Sequence, residues 1–163
     1  MSRRLVPPVS SVRPLRLDDL ERVIAIDRAL TGSVRRRFIE RRLAAAQAAP
    51  DDFVQLGVER AGALTGFALG RVLHGEFGTV EPVAVLDTIG VDPSSQGHGC
   101  GHALMNGLLD LLRSRGVQAM HSQAEWNSHG MLKFFDSAGF TLAPRVVLER
   151  GAAQSIIEQG EEI

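Results

Sequence analysis

The chain has 163 residues, 44% of them hydrophobic and 23% charged, with a net charge of −1. Such a length gives one domain with room for a core, and such a balance gives no bulk attraction to nucleic acid or to a membrane surface. A single cysteine, Cys100, excludes an intrachain disulfide and a cysteine-rich zinc site. No apolar run approaches the length that spans a bilayer. Met1-Ser2-Arg3-Arg4 is basic, but Pro7, Pro8 and Ser10 interrupt the residues after it, so no secretory h-region forms and the expected location is the cytoplasm.

Residues 1–10 read as a flexible arm. Val12 to Leu17 suits a first strand. Asp18 suits a helix N-cap, and Leu20, Val23, Ile24, Ile26 and Leu30 give that helix an apolar face as far as Thr31-Gly32. A second helix is expected from Ser33 to Ala48, with Phe38, Ile39, Leu43 and Ala46 inward. Its arginines, Arg35, Arg36, Arg37, Arg41 and Arg42, read first as a solvated face; contact with an acidic substrate or with a ligand's phosphate is the alternative. Phe53–Glu59 and Ala63–Leu73, joined by Arg60-Ala61-Gly62, read as a hairpin. A loop from His74 to Glu81 leads to a strand at 83–91, and a helix follows at about 99–115. A strand at 117–124, a helix at about 128–138 and a last strand from Thr141 to Glu149 complete the domain, residues 11–150. Residues 151–163 read as a loose acidic tail.

The stretch from Val91 to Leu104, Val-Asp-Pro-Ser-Ser-Gln-Gly-His-Gly-Cys-Gly-His-Ala-Leu, is a glycine-rich turn between strand and helix. Gly97, Gly99 and Gly101 let backbone N–H groups approach a ligand, and the helix start adds free N–H groups and the positive end of its dipole. That combination seats a pyrophosphate. A P-loop would need Gly-Lys-Ser/Thr, which is missing. The Rossmann spacing fails because His102 or Leu104 falls where its last glycine belongs. The spacing that fits is Gln/Arg-x-x-Gly-x-Gly/Ala, filled by Gln96, Gly99 and Gly101. Further on, Asn127 and Ser128 are helix-capping residues, and Phe134-Phe135-Asp136-Ser137-Ala138-Gly139-Phe140 comes after them.

Both segments, in this order and spacing, resemble the GNAT superfamily of acetyl-CoA-dependent N-acetyltransferases over roughly residues 12–150. The resemblance implies an α/β fold, a twisted mixed β-sheet with helices on both faces, in the order β-α-α-β-β-β-α-β-α-β. It implies acetyl-CoA as co-substrate and no metal: His98 and His102 are four apart, but no third ligand is placed to join them. Cofactor contacts are implied at Ile89, Gly90, Val91, Gln96, Gly97, His98, Gly99, Cys100, Gly101, His102, Asn127 and Phe135. Partners are a small-molecule or peptide amine, with no nucleic acid and no membrane, and the family allows a homodimer.

Acetyl transfer to an amine needs a route for the amine proton, a donor for the carbonyl oxygen, and stabilisation of the leaving thiolate. Backbone N–H groups near Ile89–Val91 suit the second need. For the first, Asp87 is the expected base: it stands in Val-Leu-Asp-Thr-Ile, where an acid is costly to bury unless it faces a polar cleft or has a partner. Gln123 would orient a water, with Glu125 and Glu81 as weaker candidates. For the third, many family members carry Tyr where this chain has Phe135, and the chain has no tyrosine. Ser137, His129 and Cys100 are the substitutes, each more ordinarily a cap, a surface residue or a packed small residue. The alternative to an enzyme is a GNAT-fold module that binds acyl-CoA without turnover.

Overall fold

Alternating apolar residues and one tight turn generate the centre of the sheet. The computed structural model describes residues 10–153; nearly all of the expected arm and most of the tail lie outside them. Strands β2 (Phe53–Arg60) and β3 (Ala63–His74) form a hairpin with Arg60 opposite Ala63. The two loop residues both take positive φ, 53° at Ala61 and 78° at Gly62, which matches the twist of the flanking strands. With β1 (Ser11–Pro14), β4 (Pro82–Val91) and β5 (Ala119–Ser122) they make a five-stranded sheet in the order β1-β2-β3-β4-β5. The first four strands are antiparallel to their neighbours, and β5 runs parallel to β4, so the sheet is mixed.

Period-2 alternation sends side chains to two separate cores, each closed by helices. On one face Val54, Leu56, Val58, Ala68 and Leu86 pack against helix α3 (Cys100–Ser114) through Leu104, Met105, Leu108 and Leu112, and against α4 (His129–Ser137) through Phe135. On the other, Leu64, Phe67 and Leu69 pack against α1 (Leu20–Thr31) through Val23, Ile24 and Ile26, and against α2 (Arg36–Ala48) through Ile39 and Leu43. Helices therefore cover both faces of the sheet. Arg13 ties β1 to the rest: its guanidinium donates to Asp19 at 2.8 and 2.9 Å and to Glu59 at 2.6 Å. That hydrogen bond from Arg13 holds the Asp19 carboxyl below the usual carboxylate range.

Several expected elements change. The first strand, expected from Val12 to Leu17, is Ser11–Pro14, and Asp18 lies inside a short 3-10 turn, Leu17–Asp19, so that Asp19 stands at the N-cap of α1. The second helix starts at Arg36, after Ser33 and Val34, and the strand expected at 117–124 is reduced to Ala119–Ser122. Val117 is held back because its N–H donates to Leu112 O (3.0 Å), closing α3 beyond Gly116 at φ 70°. The last expected strand, Thr141–Glu149, is no strand at all, and every residue of 141–150 is exposed. Pro144 has no N–H for a ladder, and Arg145 N–H turns back to Ala143 O at 2.8 Å. Trp126 is 83% exposed.

Candidate active site

The site opens where two neighbouring strands part. β4 and β5 pair from Val83↔Ala119 to Leu86↔Ser122, and there β5 ends. β4 continues to Val91, still paired with β3 on its other side. Its outer backbone edge from Asp87 to Val91 therefore faces a cleft of about 860 Å³ with no strand beside it among the described residues. Along the β3 partner the register steps from Leu69↔Thr88 to Gly70↔Leu86, which leaves Asp87 as the extra residue of a bulge. A bulge bends a strand and re-aims its side chains, and it commonly marks a functional edge.

The turn after β4 closes one end of the cleft. Asp92 accepts from Ser94 Oγ (2.6 Å), Ser94 N–H (2.9 Å) and Arg22 (2.6 Å); the Ser94 bonds foremost hold its carboxyl below the usual range. Gln96 donates to Val91 O at 3.1 Å, fastening the turn to the strand. Gly97 and Gly99 have φ of 77° and 80°, a region open to glycine at little cost, and Gly99 is the N-cap of α3. The first N–H groups of α3, at Cys100, Gly101 and His102, face this end without intrahelical partners. Gly101 is glycine for a different reason: a Cβ there would lie 2.9 Å from the Phe134 ring, so its absence lets α4 pack on α3.

The structure brings most of the expected residues together. Asp87, Ile89, Gly90, Val91, Gln96, Gly97, Gly99, Cys100, Gly101, His102, Gln123 and Phe135 all line the cleft. His98 and Asn127 stand outside that lining. The His98 Nδ1 lies 3.0 Å from Gln96 O, and Asn127 precedes Ser128, the N-cap of α4. His102 is tied across the helices, with Nε2 3.2 Å from Ser137 Oγ and its ring 5.6 Å from that of Phe134. Cys100 is buried, with Sγ 3.8 Å from Thr65 Oγ1. Glu81, Glu125, His129 and Ser137 are exposed and take no part in the lining. Phe135 is buried against Phe140, ring centroids 4.8 Å apart.

The other end of the cleft belongs to α1 and the start of α2; of its residues only Arg35 is expected from the sequence to meet a ligand, as the alternative to a solvated face. Asp27, Leu30, Thr31 and Arg35 line it, together with Thr88. Asp27 is 2% exposed and is held by both Arg35 Nε (2.9 Å) and Arg35 Nη2. Arg35 Nη2 also reaches Thr88 Oγ1 at 3.1 Å. The hydrogen bonds that Arg35 donates to Asp27 keep its guanidinium more firmly protonated than usual, against its partial burial. The signal for Asp27 was present: it follows Val23 by four and Ile24 by three, so it interrupts the apolar stripe of α1.

Asp87 is also fully engaged. Arg71 Nε and Nη2 donate to its carboxylate at 2.9 to 3.2 Å. Arg42 Nε lies 3.0 Å from Oδ2, yet its N–H is not aligned on any acceptor, so this contact is an ion pair and not a formed hydrogen bond. The arginine run thus divides. Arg37 and Arg41 are solvated as expected, and Arg36 pairs outward with Glu21 and Glu40. Arg35 and Arg42 turn toward the two aspartates, which corrects the reading of the run as one solvated face.

Comparison with known proteins fits this architecture. The family model for the acetyltransferase (GNAT) family matches residues 19–140, and the chain belongs to that family. A mycothiol acetyltransferase of Thermobispora bispora is 35% identical over 83 residues, 51% of this chain and 28% of that protein. One from Beutenbergia cavernae is 40% identical over 53 residues, 32% of this chain and 18% of that protein. The chain therefore spans less than a third of the length of these relatives. Among solved structures, the aminoglycoside N-acetyltransferase AAC(6')-Iy in complex with CoA superposes with a TM-score of 0.78 at 19% identity, covering 91% of this chain and 98% of that one. A ribosomal-protein-alanine N-acetyltransferase from Brucella melitensis biovar Abortus 2308 superposes at 0.70 with 18% identity, covering 88% and 99%.

The two loop glycines have separable roles. Gly99→Val has open space around the new Cβ, so its effects are left-handed strain and obstruction of an anion on the turn. Gly101→Val must also displace Phe134. Calorimetry with coenzyme A is expected to show a loss of about tenfold or more for each, from lost charge-assisted hydrogen bonds. Gly101→Val alone should also lower the melting temperature markedly. Undiminished affinity in Gly99→Val would remove the turn from the cofactor site.

Proposed function

We propose that the protein is an N-acetyltransferase that moves an acetyl group from acetyl-CoA to a primary amine by direct attack in a ternary complex, in the cytoplasm. The observation that carries this reading is the unpaired backbone edge of β4 running into the glycine turn at the N-terminus of α3. The N–H groups of Gly97–His102 would hold the pyrophosphate, and the edge at Ile89–Val91 would hold the pantetheine arm and polarise the thioester carbonyl. Bound there, acetyl-CoA supplies an activated acyl carbon next to Asp87 and Gln123. The amine nitrogen bonds to that carbon, the carbon–sulfur bond breaks, the thiolate leaves as coenzyme A, and the amine proton passes to solvent. Aminoglycoside and mycothiol acetyltransferases among the similar proteins accord with a small-molecule amine as acceptor.

Within this reading Asp87 and Gln123 orient the water that takes the amine proton. Asp87 is fixed for that task by Arg71 and Arg42, and Gln123 projects from just beyond β5 into the same cleft. Asp87→Asn preserves shape and removes the charge. Thiol release with a panel of amines is expected to slow by roughly 10²–10⁴-fold, with coenzyme A affinity nearly unchanged. A slowing below about threefold, under the range of a general-base effect, would clear Asp87 of the role.

No side-chain acid stands at Phe135, whose ring packs in the core beside Phe140. Thiolate departure then relies on solvent and backbone donors. Phe135→Tyr places a hydroxyl at that point, and where departure limits the rate it should raise turnover most at pH below the optimum. A parent inactive with every amine, beside an active Phe135→Tyr, would favour the alternative of a domain that binds acyl-CoA without turnover.

The assembly we propose is a homodimer. Leu142, Val146, Val147 and Leu148 are 97, 80, 72 and 88% exposed, and β5 has no strand on its outer side among the described residues. Val146–Glu149 of a second copy would supply that strand, since both present apolar side chains and open backbone groups. Light scattering should give twice the chain mass, and Val147→Lys with Leu148→Lys should give one chain mass with the fold retained. A parent monomeric at working concentration would refute the pairing.

A further inference from the structure

His102 stands in the first turn of α3, just after the N-cap Gly99, and it lines the cleft at the end closed by the glycine turn. A helical side chain leans back toward the N-terminus of its helix, so this ring covers the N–H groups that α3 leaves free. The space above the turn is open: a Cβ built on Gly97 or Gly99 would meet nothing within 4 Å. Two hydrogen bonds decide which ring nitrogen carries the proton. Ser137 Oγ donates its single hydrogen to Phe134 O at 2.7 Å. The same oxygen lies 3.2 Å from His102 Nε2, and with its hydrogen spent it can only accept there. Nε2 is therefore the protonated nitrogen of the neutral ring, and Nδ1, the nitrogen nearer the backbone, carries a bare lone pair.

A phosphate seated over the first turn of α3 thus meets an acceptor where a donor is needed. We propose that His102 takes up a proton from solvent when acetyl-CoA binds, and that the imidazolium then donates its Nδ1–H to a pyrophosphate oxygen. The inference rests on the acetyl-CoA reading of this turn and adds a regulation of it by pH. Moving the proton from Nε2 to Nδ1 would be the other remedy, but Ser137 Oγ would then have to donate to Nε2 and give up Phe134 O. A cation at a helix N-terminus is unfavourable alone and favourable once an anion is seated beside it. Other titratable groups stand around the ring without bonding to it. On α4 and the loop before it these are Glu125, His129, Lys133 and Asp136, all exposed. In the turn, Cys100 is buried, and His98 has Nδ1 3.0 Å from Gln96 O and stands outside the cleft lining. The sign follows from the uptake: cofactor affinity is full at acid pH and is lost as pH rises through the range where the bound imidazolium gives up its proton.

Titration calorimetry with 3′-dephospho-coenzyme A, in buffers of different ionisation enthalpy, reads the protons taken up. This probe keeps the pyrophosphate and has no group of its own that titrates where an imidazole does. Just above neutral pH the uptake should approach about one proton per ligand. Affinity should fall about tenfold from the acid to the alkaline side of that range, the scale of one charge-assisted hydrogen bond. His102→Gln, at an exposed position, should bind without uptake and with little dependence on pH. His98→Gln should keep both. Nitrogen NMR should find the free ring of His102 protonated on Nε2 at alkaline pH and on both nitrogens in the complex. Binding without proton uptake, uptake that persists in His102→Gln, or a ring still neutral in the complex would overturn the inference and leave the cofactor site standing. Failure of both coenzyme A and its dephospho form to bind at any pH would instead remove the acetyl-CoA reading, and this inference with it.

Discussion

The early end of β5 is the constraint on which the rest of the site depends. A parallel partner that stops at Ser122 leaves β4 with five residues whose outer backbone groups have no strand to bond. Buried or half-buried backbone groups need partners, so this edge is bound either by water or by an extended ligand. The strand that ends early also makes room, since two adjacent strands that diverge open a crevice between them. Everything else in the cleft is arranged around that edge. The glycine turn is fastened to its end by Gln96, the first turn of α3 points along it, and α4 walls the gap where β5 would have continued.

The cost of the arrangement falls on the centre of the sheet. Gly90 sits where a Cβ would come 2.6 Å from Leu30 and 3.2 Å from Phe67, so α1 packs directly on the β4 backbone. That contact brings Asp27 and Arg35 to the cleft, because both are carried by the helices pressed against this strand. The bulge at Asp87 then turns an acid toward the arginines of α2 and β3. Two aspartates in largely buried positions persist because each meets a guanidinium with near-planar pairing or two guanidiniums at once. Substitution of Arg35 alone leaves the Asp27 carboxylate out of water with no counter-charge, whereas Asp87 keeps one guanidinium when either Arg42 or Arg71 is replaced. These residues therefore behave as one unit in folding.

Much of this was legible in the chain itself, because local chemistry carried it. The hairpin was written in Ala61-Gly62, the helix ends in Gly32 and Gly116, and the turn before α3 in glycines spaced after an apolar strand. The two cores follow from periodicity alone. What was hidden depended on distant pairing. Asp27 breaks an apolar stripe, but the meaning of that break lies in Arg35, which only the α1–α2 connection brings opposite it. Arg42 and Arg71 belong to elements far apart in sequence, and both meet Asp87 only because the bulge directs it there. The strand expected at 141–149 failed for the opposite reason: its residues suit a strand, but a strand needs a neighbour, and Pro144 and the turn at Arg145 deny it one among the described residues.

The position of Phe135 shows how far motif and chemistry separate. Its spacing before Gly139 is that of the family's second motif, and its ring fills the core between Phe134 and Phe140 as that motif's packing requires. The packing half of the motif is kept and the proton-donating half is gone. A backbone edge can polarise a carbonyl whatever the side chains are, so the electrophilic part of the reaction does not depend on this position. A coenzyme A thiol is acidic enough to leave with solvent as its proton source. What this chain keeps is geometric: an open backbone edge at Ile89–Val91 that runs into the glycine turn, with Asp87 at the bulge before it.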